Sequence, residues 1–263
     1  MKPLHSLIYL TVIFLLIQGL GFSVGLAMIS GIAEGVIEPA VSEGDSPKSS
    51  VNIFIYVLVL TAILLGLFKL GLDLIIKVLT YFALYGGVFL TFTALWDDIG
   101  FILSLIYYPI AIILRERAHV SNLTLIFVVS GIGGFLGASL AAFPALFLVL
   151  ILAAYDLVAV FGTKHMVTLA EKAKGKIPFM FIIPVRDREL GLGTGDLAIP
   201  LVFTVSVLRD YAMANATLTA LGGLAGVIWL FTYTLDKEGV TLPALPPIAI
   251  GAFSGFVASL IVL

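Results

Sequence analysis

Apolar runs long enough to cross a lipid bilayer follow one another along the chain, separated by short polar breaks. A helix needs about 20 mostly apolar residues to span the hydrocarbon, at about 1.5 Å per residue. Nine stretches meet or approach that length. They run from about Leu4 to Met28, Val51 to Phe68, Leu72 to Leu95, Ile99 to Leu114, Leu123 to Leu140 and Phe143 to Gly162, then within Leu190–Leu208, Ala212–Leu235 and Leu242–Val262. The pattern predicts an all-α, polytopic membrane protein with nine transmembrane helices. Lys2 and His5 stand at the head of the first stretch, but its apolar part exceeds a usual signal core, so it reads as a retained helix.

The longest polar interruption, "GTKHMVTLAEKAKGKIPFMFIIPVRDRE" at residues 162–189, divides the chain in three. Helices one to six occupy 1–162, a loop occupies 163–189, and helices seven to nine occupy 190–263. The first part of the loop is basic and amphipathic and reads as an interfacial helix. The apolar run Phe179–Ile183, bounded by Pro178 and Pro184, is too short to span and reads as a strand between breakers. Such a strand could pair with an unwound substrate through backbone hydrogen bonds.

Composition sharpens this picture. With 61% hydrophobic residues, 11% charged residues and a mean hydropathy of +1.19, the chain is built for lipid as its solvent. The absence of cysteine rules out disulfides, thiolate metal sites and a cysteine nucleophile. The net charge of −2 and the lack of a basic stripe interleaved with aromatics give nucleic-acid binding no support. Lys and Arg are retained on the cytoplasmic side of membranes. An N-terminus placed inside leaves only Lys48 and Arg209, of 14 basic residues, on the outer face, and nine crossings then leave the C-terminus outside.

Most charge therefore lies in loops, and the exceptions carry the chemistry. Asp73 and Lys77, four apart at the start of the third stretch, read as an interfacial ion pair with a snorkelling lysine. Asp156, in "LAAYDLVAVFG", has apolar neighbours on both sides and no cation at helical spacing. Asp196, in "ELGLGTGDLAIP", is the second such case. An intramembrane carboxylate costs roughly 2.5–3.5 kcal/mol on insertion scales, and such residues usually face a cavity on a functional path. The sixth helix carries Asp156 near its cytoplasmic end, and the seventh carries Asp196 near its cytoplasmic start, so the two lie at similar depth. Gly191, Gly193 and Gly195 would let another backbone approach Asp196. The run from Asp196 to Leu208 is too short to span, so the glycine stretch is expected to complete the crossing as irregular backbone beside protein or a wet cavity.

Two neighbouring carboxyl groups share one proton, so the pair can take a proton from water while giving one to a carbonyl. Other hydrolytic chemistries fail by inventory. "HExxH" is absent, and His5, His119 and His165 lie outside the hydrocarbon core. "GFSVG" and "GAFSG" have no membrane histidine to serve as base and read as helix-packing motifs.

"YD" at Tyr155 and Asp156, "GTGD" at Gly193, Thr194, Gly195 and Asp196, and "PAL" at Pro243, Ala244 and Leu245 occur in that order on the sixth, seventh and ninth stretches. Together they resemble the YD, GxGD and PAL signatures of the presenilin and signal peptide peptidase family of intramembrane aspartyl proteases. The resemblance covers essentially the whole chain. The inferred orientation looks like the presenilin branch, with an archaeal presenilin homologue as the nearest reading. A second "PAL", at Pro144 to Leu146, lies upstream of both aspartates and is not assigned that role.

The resemblance implies an aspartic endopeptidase that hydrolyses peptide bonds in or near the transmembrane helix of membrane-protein substrates. Asp156 and Asp196 would be its catalytic pair. Tyr155, Gly193, Thr194, Gly195, Pro243, Ala244 and Leu245 would shape the active site. It implies no cofactor and no metal. The partners it implies are transmembrane-helix substrates and the lipid bilayer of the cell membrane, with homo-oligomerisation and accessory subunits left open. From the residues alone, an ordinary helix start is the favoured reading of the PAL proline. Two rivals stay open at this level. A proton-coupled transporter would also use intramembrane acids and a broken helix, although no internal repeat is visible. A prepilin-type peptidase shares GxGD but has fewer helices and leaves the terminal PAL unexplained.

Overall fold

The computed structural model describes residues 3–163, 180–185, 188–235 and 242–263. Eight helices form among these residues: α1 (Pro3–Ala33), α2 (Pro47–Lys69), α3 (Asp73–Ile113), α4 (Ala118–Ser139), α5 (Ala142–Val158), α6 (Thr194–Asp210), α7 (Met213–Thr234) and α8 (Leu245–Val262). A π-helical turn, Ala159–Thr163, extends α5. Between α5 and α6 lie two strands, β1 (Met180–Val185) and β2 (Arg188–Gly193). Seven of the helices are long and apolar enough to cross a membrane, α6 being the exception. The interfacial helix expected in the first part of the loop falls outside the described residues.

The third and fourth apolar stretches are one element, α3, broken at Trp96 and Asp97. Asp97 has φ 47° and ψ −129°. A straight helix would hold Tyr81 and Tyr108 about 40 Å apart. Instead the Tyr108 hydroxyl donates to the Tyr81 carbonyl at 2.5 Å, and the Phe89 and Phe101 rings meet edge to face at 6.2 Å. α3 is therefore a helical hairpin. Its tight turn needs Gly100, because a Cβ there would run into the Phe92 carbonyl.

α4 lies at the centre, packed on α1, α3 and α6. One buried cluster joins α1, α3, α4 and the strands around Phe14, Ile17, Leu125 and Phe181. A second joins α5, α6 and α8 around Leu148, Leu152, Phe203 and Ile248's neighbour Ala249. The two glycine pairs read as packing motifs do pack helices closely. Gly21 and Gly25 admit Leu201 and Val205 of α6 against α1, and Gly251 and Gly255 bring α8 onto the backbone of α7 at Gly222 and Leu218.

The strands pair antiparallel with Ile182 opposite Gly191 and Met180 opposite Gly193. Two sequence expectations change here. The strand read as ending at Ile183 continues through Pro184 to Val185. The glycine stretch is not irregular backbone: it is β2, and the seventh helix begins only at Thr194. At about 25 Å, 17-residue α6 is shorter than the hydrocarbon core, and β2 continues the chain from it. The signal was present in "RELGLG", where leucine alternates with glycine at the period of a strand.

Candidate active site

Asp196 occupies the third position of α6, whose N-cap is Gly193 in extended conformation. An acid at that position can reach back to the N-cap amide, and the Gly193 backbone N–H does bond to the Asp196 carboxyl. The open end of α6 thus faces its own acid, with the dipole favouring a negative charge there. Four residues on, Pro200 lacks the N–H that would have bonded to the Asp196 carbonyl, so the first turn of α6 is less tied than the rest.

Asp156 stands two residues before the end of α5, where the dipole of its own helix opposes a negative charge. It is compensated from another helix. The Leu245 backbone N–H donates to Oδ2 of Asp156 at 3.2 Å, and the Ala244 N–H also bonds to this carboxyl. Ala244 is the N-cap and Leu245 the first residue of α8, followed by Pro246 and Pro247. A helix start has four N–H groups without intrahelical partners. In α8 two of those positions are proline, and the two remaining donors both go to Asp156.

Two helix N-termini therefore converge on two carboxyl groups, and these are near enough to interact electrostatically. Both aspartates are half-buried. Such a pair can hold one proton and one water between them and exchange the proton with a carbonyl.

The other residues named from the sequence fall into three groups. Ala244 and Leu245 supply backbone donors, and Pro243, buried beside them, precedes the helix start. Gly193 lies so close to Asp196 that a Cβ would sit 2.9 Å from Oδ2, Thr194 opens α6, and Gly195 is exposed with nothing within 4 Å of its missing side chain. Tyr155 turns toward α2, its ring edge-on to Phe54 at 5.8 Å.

Residues that sequence reasoning missed hold the strands in place. Asn122 of α4 accepts from the Ile182 N–H at 3.0 Å and donates to the Ile182 carbonyl at 2.8 Å, as a neighbouring strand would. Its amide also donates to the Tyr9 hydroxyl at 2.9 Å, and the Ser6 hydroxyl of α1 donates to the Pro184 carbonyl at 2.5 Å. The outer edge of β1 is thereby capped by side chains, and Pro184, which has no N–H, sits on that edge. A buried asparagine inside an apolar helix was the available signal.

A sequence model of the family described as "Signal-peptide peptidase, presenilin aspartyl protease" matches residues 10–263. The chain belongs to this family. It is a multi-pass intramembrane aspartyl protease, an aspartic endopeptidase, and membership decides against the transporter reading. Two solved structures of a presenilin-family intramembrane aspartate protease share its fold. One, in space group C222, has TM-score 0.74 at 24% identity, covering 98% of this chain and 99% of that chain. The other, in space group P2, has TM-score 0.67 at 22% identity, covering 96% of each. No curated protein matches the chain significantly.

Proposed function

We propose that Asp156 and Asp196 are the catalytic dyad of this presenilin-family protease. The convergence of the two carboxyl groups at the N-termini of α6 and α8 carries the reading. One aspartate, ionised, takes a proton from the attacking water as its oxygen bonds to the scissile carbonyl carbon. The other, protonated, gives its proton to the carbonyl oxygen. The resulting gem-diol collapses as the amide nitrogen gains a proton and the C–N bond breaks, leaving a carboxyl group and an amine. Gly193, Thr194, Gly195, Pro243, Ala244 and Leu245 line this site. For Tyr155 the support is weaker, since its ring faces α2.

The substrate is a transmembrane segment of a membrane protein, unwound near the cleaved bond. Because Asn122 occupies both backbone groups of Ile182, the paired positions of the ladder are Phe181–Leu192, Ile183–Leu190 and Val185–Arg188. Gly191 then points its backbone N–H and C=O away from β1, while the Gly193 N–H on the same edge goes to Asp196. The substrate strand pairs with that edge of β2, which runs directly into Asp196, rather than with β1. The open space beside Gly195 supports the same path.

The chain crosses the cell membrane nine times, each limb of α3 counting once, with the N-terminus in the cytoplasm and the C-terminus outside. The hairpin contacts of α3 and the retention of basic residues on one side support this. The helices before 162 and those after the strands form the two parts of one bundle, joined by the loop that begins at 163.

The test is cleavage of a transmembrane substrate by the purified protein in detergent. Asp156→Asn and Asp196→Asn are each expected to abolish product, and cleavage retained in either removes that residue from the dyad. Labelling of single cysteines in the α1–α2 and α6–α7 connections from outside the cell checks the orientation.

A further inference from the structure

The two aspartates sit at one end of α5 and α6, and a third acid joins the other end of the same two helices. Asp210, the last residue of α6, accepts the backbone N–H of Ala142, the first residue of α5, through Oδ2 at 2.7 Å. From Ala142 to Asp156 is fourteen residues along α5, and from Asp210 back to Asp196 is fourteen along α6. Each arm is about 21 Å of helix. Two antiparallel arms of equal length, tied at one end, bring their far ends level.

We propose that Asp210 is a positioning residue whose bond to Ala142 sets the axial register of α5 against α6 and so aligns Asp156 with Asp196. The proposal rests on the reading of those two as the dyad.

Asp210 opposes the dipole of its own helix, lying at the C-terminus of α6, and favours that of α5. The α5 N-cap, Ala141, has no side chain able to cap, so the acid of the neighbouring helix takes over that task. Its other oxygen, Oδ1, lies 3.7 Å from Nε of Arg209, whose Nη2 reaches Asp45 at 2.6 Å. The carboxylate is thus held from both sides. Between this tie and the dyad, α5 and α6 meet through Leu148, Val149, Leu152, Phe203 and Val207, all apolar. Apolar contact is non-directional and resists sliding along the helix axis poorly. A hydrogen bond to a particular N–H does not tolerate sliding, and a misplacement of about 1 Å at a reacting centre can cost about a hundredfold in rate.

Three variants of the full chain test this. Asp210→Ala removes the acceptor. Asp210→Asn keeps an acceptor oxygen. Ala142→Pro removes the donor while suiting the first position of a helix. Asp210→Ala and Ala142→Pro should each lower kcat at least about tenfold with KM within about twofold, and the double variant should be no worse than either single one. Asp210→Asn should recover most of kcat. A second readout does not depend on catalysis. Spin labels on Ala154→Cys and Gly195→Cys, beside the dyad in this cysteine-free chain, should show a shifted or broader distance once Asp210→Ala is added. Unchanged kcat with an unchanged label distance overturns the proposal, and so does a kcat loss that merely follows a lowered Tm. If Asp156→Asn or Asp196→Asn still cleaves, the dyad reading fails, while the label distance still reports whether Asp210 sets the register.

Discussion

The backbone N–H of Leu245 donates to the carboxylate of Asp156 across 89 positions of sequence, at 3.2 Å. The start of the last helix thereby becomes part of the site on the fifth. Leu245→Pro deletes this donor, and because Ala244 before it is αR, a conformation proline disfavours in its predecessor, thermal unfolding of the variant is measured beside its activity. Loss of a hydrogen bond to a charged group, about 1.5–3 kcal/mol, should cut cleavage roughly ten- to hundredfold. Leu245→Ile, which keeps the N–H, should stay near wild type. Steady-state cleavage rates on both variants decide it, and an active Leu245→Pro would assign the motif to packing alone.

Replacing either aspartate with alanine should abolish proteolysis in a protein that remains folded and membrane-inserted. The two act as one unit, so the double variant should be no worse than either single one. Asp73→Asn, exposed at the start of α3, should retain substantial activity. Product formation, measured alongside thermal unfolding of each variant, separates lost chemistry from lost fold.

The two motif glycines should respond differently to a side chain. A Cβ at Gly193 presses on Oδ2 of Asp196, whereas Gly195 faces open space. Gly195→Leu is therefore expected to leave Tm nearly unchanged while strongly reducing cleavage, because the new side chain fills the volume assigned to substrate. Gly193→Ala should lower kcat even with a small substrate, by displacing the carboxyl. Full activity in Gly195→Leu would show that no substrate backbone passes there.

Asn122→Leu should loosen β1 without disturbing the aspartates' own bonds. It strips Ile182 of partners for both its N–H and its C=O, at a cost of about 1–3 kcal/mol for each buried group left unpaired. Amide hydrogen exchange at Ile182 should accelerate by an order of magnitude or more, and cleavage should fall. Unchanged exchange at Ile182 would mean that β2 alone holds the strand.

Hydroxyl-bearing transition-state mimics of the aspartyl-protease type should inhibit in competition with an active-site probe. They place an oxygen where the tetrahedral intermediate has one. Chelators and serine-directed reagents should leave the rate unchanged. Strong inhibition by a chelator would contradict the two-carboxylate chemistry.

The membrane class, the two unpaired intramembrane acids and the family signatures were all legible in the sequence. Each is a property of residue type and local spacing: a run of apolar side chains declares its solvent, and an aspartate such as Asp156 within it stands out at any resolution. The bend in α3 was half legible, since polar Asp97 and Asp98 divide two apolar stretches, but its closure into a hairpin depended on Tyr81 meeting Tyr108. β2 was half legible, because "RELGLG" alternates like a strand but suits a loop as readily until a partner is present, and that partner, β1, is held by Asn122 some sixty residues away. The role of the α8 start was equally out of reach. Pro243, Pro246 and Pro247 read as an ordinary helix beginning, and only packing of α8 on α5 turns its two remaining N–H groups toward Asp156. The tie between Asp210 and Ala142 belongs with these. Local sequence specifies which groups are left without partners at helix ends, whereas the tertiary structure decides where each finds one, because those bonds join elements whose separation in sequence carries no record of their distance in space.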